Sequence, residues 1–493
     1  MNMSEPMKRK GRKKPCWIYV PENFNPETLL PANLKRHADS ARYLLHRIIW
    51  GQIMKKRTID NYVPLKFDYL REVIPDRIIL PLKNALIAED VIECDGRYIE
   101  GQKSLGYRLG MKYWKARNIR VAICDQAIAE KVKATRRAKC KKVRLDVHLW
   151  LRSKFKRLEV DLPLALSLLS GHRRFELVKI PVEQIVNNET EFSVCRYGRV
   201  HSSLTRCSKR IRPALHVSGE RLVSLDIANS QPLFLSLLVI NYRRQGDKTF
   251  GYVTFAKNSI NQYKEIDKII EQTIEPFNFN KDSIINSDTS TVSIVNSTAY
   301  TTRIASSKEE QSLTGKDFKT TVKLPQDISV NRDFLTRDEQ TFVKLCEQGK
   351  LYSTLKEEME DREMHLRQWV KTELFEVLFG SNRLKSRLKD IFNDTFPGVS
   401  EVIRVHKRKD YAFLPRLLQN IEANFIINSV CRRIMTEMPD APVFTIHDSI
   451  LTTRPFVEFI RQIMMEEFAR LGLTPTLHEV DYGESKGKAS RGS

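Results

Sequence analysis

The sequence predicts an α+β fold, and three stretches carry that expectation. Leu222-Val-Ser-Leu-Asp226-Ile is an apolar run with a β-branched residue that gives way to Ala-Asn-Ser, which reads as a buried strand ending at a turn that carries a carboxylate. Val443-Phe-Thr-Ile-His447-Asp448-Ser449-Ile-Leu-Thr-Thr is a second β-rich run, broken at its centre by two polar residues. Between them Arg367, Lys371, Phe375 and Phe379-Gly380 recur every four residues, so a helix would line two cations and two rings along one stripe.

Taken in order, residues 1–17 include Met7-Lys8-Arg9-Lys10-Gly11-Arg12-Lys13-Lys14, a basic tail too polar to fold. Over 18–112, helical periodicity alternates with a short hairpin. Asp76 to Glu89 reads as a helix, Val91–Cys94 and Arg97–Ile99 as strands joined by the two-residue turn Asp95-Gly96, and Lys103–Leu109 as the returning strand. Helices followed by a basic hairpin resemble a winged helix, a module that binds DNA and also protein. The span 113–195 is the most cationic. Fifteen Lys and Arg from Lys115 to Arg157, among them Arg136, Arg137, Lys141 and Lys142, face three acids, with Glu159 just beyond. Long helices there, with Trp150 and Phe155 interleaved, would grip a duplex through its phosphates; a solvated helix face is the alternative. Residues 244–330 are rich in Asn, Ser, Thr and Lys and read as an insertion or linker.

The whole chain is strongly basic. With 83 Lys and Arg against 60 Asp and Glu in 493 residues, its formal charge is +23, which favours polyanionic partners. Hydrophobic residues make up 41% of the sequence, enough for several cores and two or more domains. No apolar run approaches the roughly 20 residues needed to cross a bilayer. The eight cysteines form no C-x-x-C pair and are expected to be reduced thiols, with neither zinc nor a disulfide framework.

Two chemistries follow. The stripe of Arg367, Lys371, Phe375 and Phe379 suits a nucleoside triphosphate, the cations holding phosphates and an aromatic face supporting the base; an amphipathic helix with a basic edge is the plainer reading. Asp226 and Asp448 would supply carboxylates for a divalent cation, which would compensate charge placed within apolar strands.

In that order, aspartate strand, cationic helix, His-Asp strand, the chain resembles family A DNA polymerases and, more distantly, single-subunit phage-type RNA polymerases. Further segments carry the resemblance. Gly198-Arg199-Val-His-Ser202-Ser203 is similar to the family's glycine-arginine-serine motif, Phe392-Asn-Asp-Thr-Phe396-Pro397-Gly to the segment closing the fingers, and Leu418-Gln419-Asn420 with Glu422-Ala-Asn to the palm helix that reads the minor groove. His478-Glu-Val-Asp-Tyr-Gly483-Glu484 is similar to the final palm strand. The resemblance implies a right-handed palm, fingers and thumb. Residues 113–195 would form a thumb-like region, 196–243 the palm with motif A, 331–409 the fingers with motif B, and 410–493 the palm with motif C and a C-terminal tail. It implies Asp226 and Asp448 as ligands of two Mg2+ ions, with Mn2+ as a substitute, and Lys371 as the catalytic cation. Arg367, Lys371, Phe375, Phe379, Gly380, Gln231 and Tyr352 would contact the nucleotide, and Arg199, Gln419 and His447 the primer-template.

Departures from the pattern bear on specificity. Ser449 stands where many of the DNA enzymes have Glu, Gln231 where they place a glutamate that crowds a ribose 2'-hydroxyl, Phe379 for the usual tyrosine, and Tyr352 for a histidine at the phosphates. The resemblance implies a DNA-dependent DNA polymerase without proofreading, with a plasmid, phage or mobile element as the expected replicon, that uses dNTPs, a DNA primer-template and replication proteins, and no membrane. The alternatives are a phage-type RNA polymerase, which Ser449 favours and Phe379 disfavours, and an inactive DNA-binding initiator. A setting at the nucleoid in the cytoplasm is expected, or in the nucleus if the source is eukaryotic.

Overall fold

The structure, a computed structural model, describes residues 15–54, 62–100, 103–140, 143, 145–245, 332–360 and 367–483. The chain divides into a unit of residues 1–249 with 332–493 and a unit of 250–331. The second unit, and with it nearly all of the polar 244–330 stretch, lies outside the described residues, as do the basic tail through residue 14 and Lys141 and Lys142. The architecture is mixed α+β.

The first body starts with β1 (Trp17–Pro21), which pairs antiparallel with β5 (Asn118–Ala122). Helix α1 (Ala38–Met54) packs on β1 through Leu44, Leu45, Ile48 and Ile49, all fully buried at the i, i+1, i+4, i+5 spacing of an apolar helix face. There follow β2 (Val63–Pro64), α2 (Phe67–Arg71), α3 (Asp76–Ala88), β3 (Ile92–Cys94) and β4 (Gly106–Leu109), with the strands in the spatial order β2-β4-β3. Ile79, Leu82 and Leu86 give α3 its buried face. The same hydrophobic core takes in Ile128 and Val132, Leu177 and Ile180. It thus runs past residue 112, where the sequence suggested a boundary.

The hairpin differs from expectation. Strand β3 pairs with β4 rather than with Arg97–Ile99, so the two-residue turn is replaced by a longer loop. The cause is Asp95, whose carboxylate accepts from the backbone N–H groups of Arg97 at 3.1 Å and Gly106 at 2.8 Å and from Lys103 Nζ at 2.5 Å, tying both ends of the loop to one side chain.

The cationic stretch forms one long helix, α4 (Gln126–Cys140, 15 residues), and a shorter one, α5 (Asp146–Lys154, 9 residues). Part of its charge serves the fold. Arg136 donates to the Trp17 carbonyl at 2.9 Å, Trp150 Nε1 and Lys154 Nζ both donate to the Pro439 carbonyl, and Arg157 donates to that of Asp440 at 2.9 Å.

A six-stranded sheet forms the second body: β6 (Glu159–Val160), β9 (Leu215–Val217), β10 (Glu220–Ile227), β11 (Phe444–Ile446), β12 (Ser449–Thr453) and β13 (Leu477–Asp481), while β7 (Phe192–Val194) and β8 (Val200–Ser202) form a separate hairpin. The order is β11-β12-β10-β9-β6, and β13 pairs with the far half of β10. Strand β10 is flanked on both sides, Asp226 standing opposite Ser449 on β12 and His478 on β13, and Leu222, Val223 and Leu225 are fully buried. That explains why β10 reads as a continuous apolar run.

Helix α6 (Ser230–Gln245) leaves the end of β10. After the undescribed stretch come α7 (Arg337–Glu347), α8 (Leu351–Glu360), α9 (Arg367–Phe379), α10 (Arg387–Thr395) and α11 (Pro397–Lys407). The rings of Phe342, Phe392 and Phe396, with centroids 5.3 to 6.0 Å apart, join α7 to α10 and α11. Helix α12 (Phe413–Ala423) continues into a π-helical segment, Asn424–Cys431, whose Phe425 packs against Phe234 of α6 and Phe468 of α13 (Val457–Arg470). Among the described residues no helix is long and apolar enough to cross a membrane, and seven cysteines are free thiols.

Candidate active site

Asp226 lies near the end of β10, where its neighbours on both sides fix its height in the sheet. Asp448 does not lie within a strand, as the sequence suggested. Ile446 pairs with Ser449, so His447 and Asp448 form the two-residue turn of the β11-β12 hairpin. His447 has φ +56°, a left-handed conformation uncommon outside glycine that costs on the order of 1–3 kcal/mol and is kept where surrounding structure imposes it. Turns are the sites where a polar pair interrupts β-rich sequence at least cost, which explains the pattern. The Ser449 hydroxyl, on the same hairpin, donates to Asp226 Oδ1.

The two carboxylates interact. Burial, and after it the negative charge of Asp226, push the Asp448 carboxyl above the usual range, against a backbone N–H bond and the Arg199 charge. Asn229, φ +51°, makes the turn that carries the chain from β10 into α6 and sets Ser230 and Gln231 on the wall beside Asp226.

A cleft of about 360 Å3 brings together Asp226, Gln231, Tyr352, Lys371, Phe375 and Asp448. These come from β10, α6, α8, α9 and the hairpin turn. Lys371 is exposed, its Nζ 5.7 Å from the centre of the Tyr352 ring. Burial raises the Tyr352 phenol well above its ordinary range, with the charges of Cys346 and Asp448 adding to it. The rings of Phe375 and Phe379 are 5.2 Å apart and inclined by 31°; Phe375 lines the cleft and Phe379 stands behind it. Gly380 closes the helix where a Cβ would come within 2.6 Å of the Glu376 carbonyl.

The residue that sequence reasoning left out of the site is Glu422, only 2% exposed on α12. Arg199 Nη2 lies 2.7 Å from one of its oxygens, while Gln231 Nε2 and the Ser230 hydroxyl donate to the other. Burial dominates and raises its carboxyl to about 7, with Arg199 pulling the other way. Gln231 is therefore no free wall of the cleft; its amide is held from behind. A glutamate set among Leu418, Ile421 and Phe425 on an apolar helix was the signal for such a buried charge.

Other expected residues lie elsewhere. The Arg367 side chain, like Lys141 and Lys142, is outside the described residues, although Arg367 begins α9. His447 is exposed at the hairpin tip, its ring 6.0 Å from that of His201. Gln419 is half-buried one turn before Glu422, Arg136 is bonded to the Trp17 backbone, and Arg137 is exposed on α4, outside the cleft.

The donor set suits a hard cation held partly by substrate. Among the described residues no cluster of three His, Cys, Asp or Glu assembles. The Asp448 carboxylate, disfavoured by burial and then by the Asp226 charge, would be stabilised by a divalent ion, and Mg2+ is commonly bound by one or two carboxylates with phosphate oxygens completing its shell.

No family model matches the sequence, and no curated protein does. A solved structure, the POL domain of Pol1 from M. smegmatis in complex with DNA primer-template and dNTP, is similar to this chain at 11% identity with a TM-score of 0.27. The match covers 72% of this chain and 66% of that one, so it spans a little under two thirds of the solved domain.

Proposed function

We propose that the chain is a template-directed nucleotidyltransferase, a DNA-dependent DNA polymerase that extends a primer 3'-hydroxyl. The observation that carries this reading is the cleft in which Asp226 and Asp448 stand together with Lys371 and Phe375 across from them. Asp226 and Asp448 would hold Mg2+, whose charge lowers the pKa of an attacking hydroxyl and offsets that of a triphosphate. Lys371, exposed at the cleft, stabilises or protonates the pyrophosphate leaving group. Arg367, which begins the same helix, takes the γ-phosphate end, and the Phe375 ring supports the base, with Phe379 packed behind it. Arg199 and Gln419 face the primer-template minor groove, the former held in place by Glu422.

The 62–109 segment supports a winged-helix reading. Its strand, two helices and two strands, with the last strand central in the sheet, follow α1 in the order that such modules use, and the loop tied by Asp95 would be the wing. Duplex DNA is its proposed partner.

The test is primer extension with dNTPs and NTPs on DNA and RNA templates. Extension with dNTPs on DNA is expected. Strong preference for NTPs would put the phage-type RNA polymerase reading ahead, which Ser449 favours and Phe379 disfavours. No extension with any pair, while duplex is still bound, would leave the inactive initiator.

A further inference from the structure

A second cleft, of about 310 Å3, lies between the loop at 381–386 and helices α10 and α11. Val377 of α9 lines it, two residues on from Phe375 in the first cleft, a rotation of roughly 200° around a helix of 3.6 residues per turn. The two clefts thus occupy opposite flanks of α9. Arg383, Lys385, Lys389 and Arg404 line the second, against one carboxylate, Asp390.

Lys389 is committed to the wall, its Nζ donating to the carbonyls of Asn382 at 2.7 Å and Leu384 at 2.8 Å, which fixes the loop. Arg383, Lys385 and Arg404 are exposed and have no ion-pair partner among the described residues. Three exposed cations around one cleft with a single carboxylate leave it net positive, and a group with several acceptor oxygens and negative charge compensates them together.

We infer that this cleft binds a phosphate group of a single nucleic-acid strand, held by Arg383, Lys385 and Arg404. The strand rests on the polymerase reading; the phosphate chemistry rests on the cleft.

The test is fluorescence anisotropy of the full chain with a labelled single-stranded DNA oligonucleotide across a salt series. Each neutralised phosphate contributes about 0.7 to the slope of log K against log salt for single strands, so loss of this one phosphate in Arg383→Ala/Arg404→Ala should flatten the slope by about 0.7. Arg383→Lys/Arg404→Lys should keep it, as should Arg337→Ala/Lys344→Ala on α7. An unchanged slope in the first variant, or equal flattening in the α7 control, overturns the inference. So does displacement of the oligonucleotide by inorganic pyrophosphate at matched ionic strength from the wild type and not from the variant, which assigns the cleft to the free anion. Extension is read separately. If the slope flattens as expected and the wild type extends no primer, the polymerase reading fails and the phosphate cleft stands.

Discussion

At Gln231 the amide is oriented by a carboxylate 191 positions away, with Nε2 given to Glu422, so its position relative to a bound sugar is fixed by α12 as well as by α6. On the proposed reading dNTPs are preferred over NTPs, and Gln231→Gly should relax that preference by roughly tenfold, or about 1.4 kcal/mol, measured as the ratio of kcat/KM for the two sugars. Glu422→Gln, which replaces the charged acceptor of the amide by a neutral one without emptying the wall, should shift the same ratio in the same direction by less. Asp226→Ala and Asp448→Ala should each lower extension by several orders of magnitude while duplex binding stays near the wild-type level, and half-normal activity in either would sink the assignment. Asp226 and Asp448 could be read from the sequence because strand-like runs surround them. Glu422 was passed over because its partners, Arg199, Ser230 and Gln231, are remote along the chain and a local pattern does not reveal them.

Helix α9 ends on a buried lysine. Lys407 of α11, 4% exposed, donates to the carbonyls of Val377 at 2.5 Å and Gly380 at 2.9 Å, groups left without partners by the end of the helix. Burial, with the charge of Lys389, lowers its ammonium to about 8. Below that pH the residue is charged in both the folded and unfolded chains, and folding bears the full cost of burying the charge. Between about pH 8 and the ordinary lysine range the unfolded chain binds the extra proton, so stability rises with pH, by on the order of 3 kcal/mol. Urea unfolding from pH 8 to 10 should show that rise in the wild type and not in Lys407→Met; equal slopes would refute the cap. At this scale the sequence was read best where periodicity is long, as in α3 and α9, and worst where one side chain redirects the backbone, as Asp95 does to the hairpin and His447 to the turn before Asp448.

For the whole unit, cutting at residue 112 would separate β1 from β5 and open the core that holds Ile128, Val132 and Ile180. Deletion of residues 1–112 is therefore expected to lower the melting temperature of the remainder by several degrees or more, beyond any loss of DNA affinity, and an unchanged Tm would show that the two bodies fold independently. The composition announced a polyanion partner, but it did not reveal that Arg136, Lys154 and Arg157 are bonded to backbone carbonyls, since a charge count does not distinguish a phosphate ligand from a strut. The placement of β10 between β12 and β13 has a further effect during synthesis. Asp226 and its contact Ser449 are 223 residues apart, so at roughly 5–20 residues per second a ribosome needs about 10 to 45 s after making β10 before its partner on that side exists. Throughout that interval the longest strand of the sheet has an open hydrogen-bonding edge, which makes the nascent chain a natural client for chaperones that shield such edges.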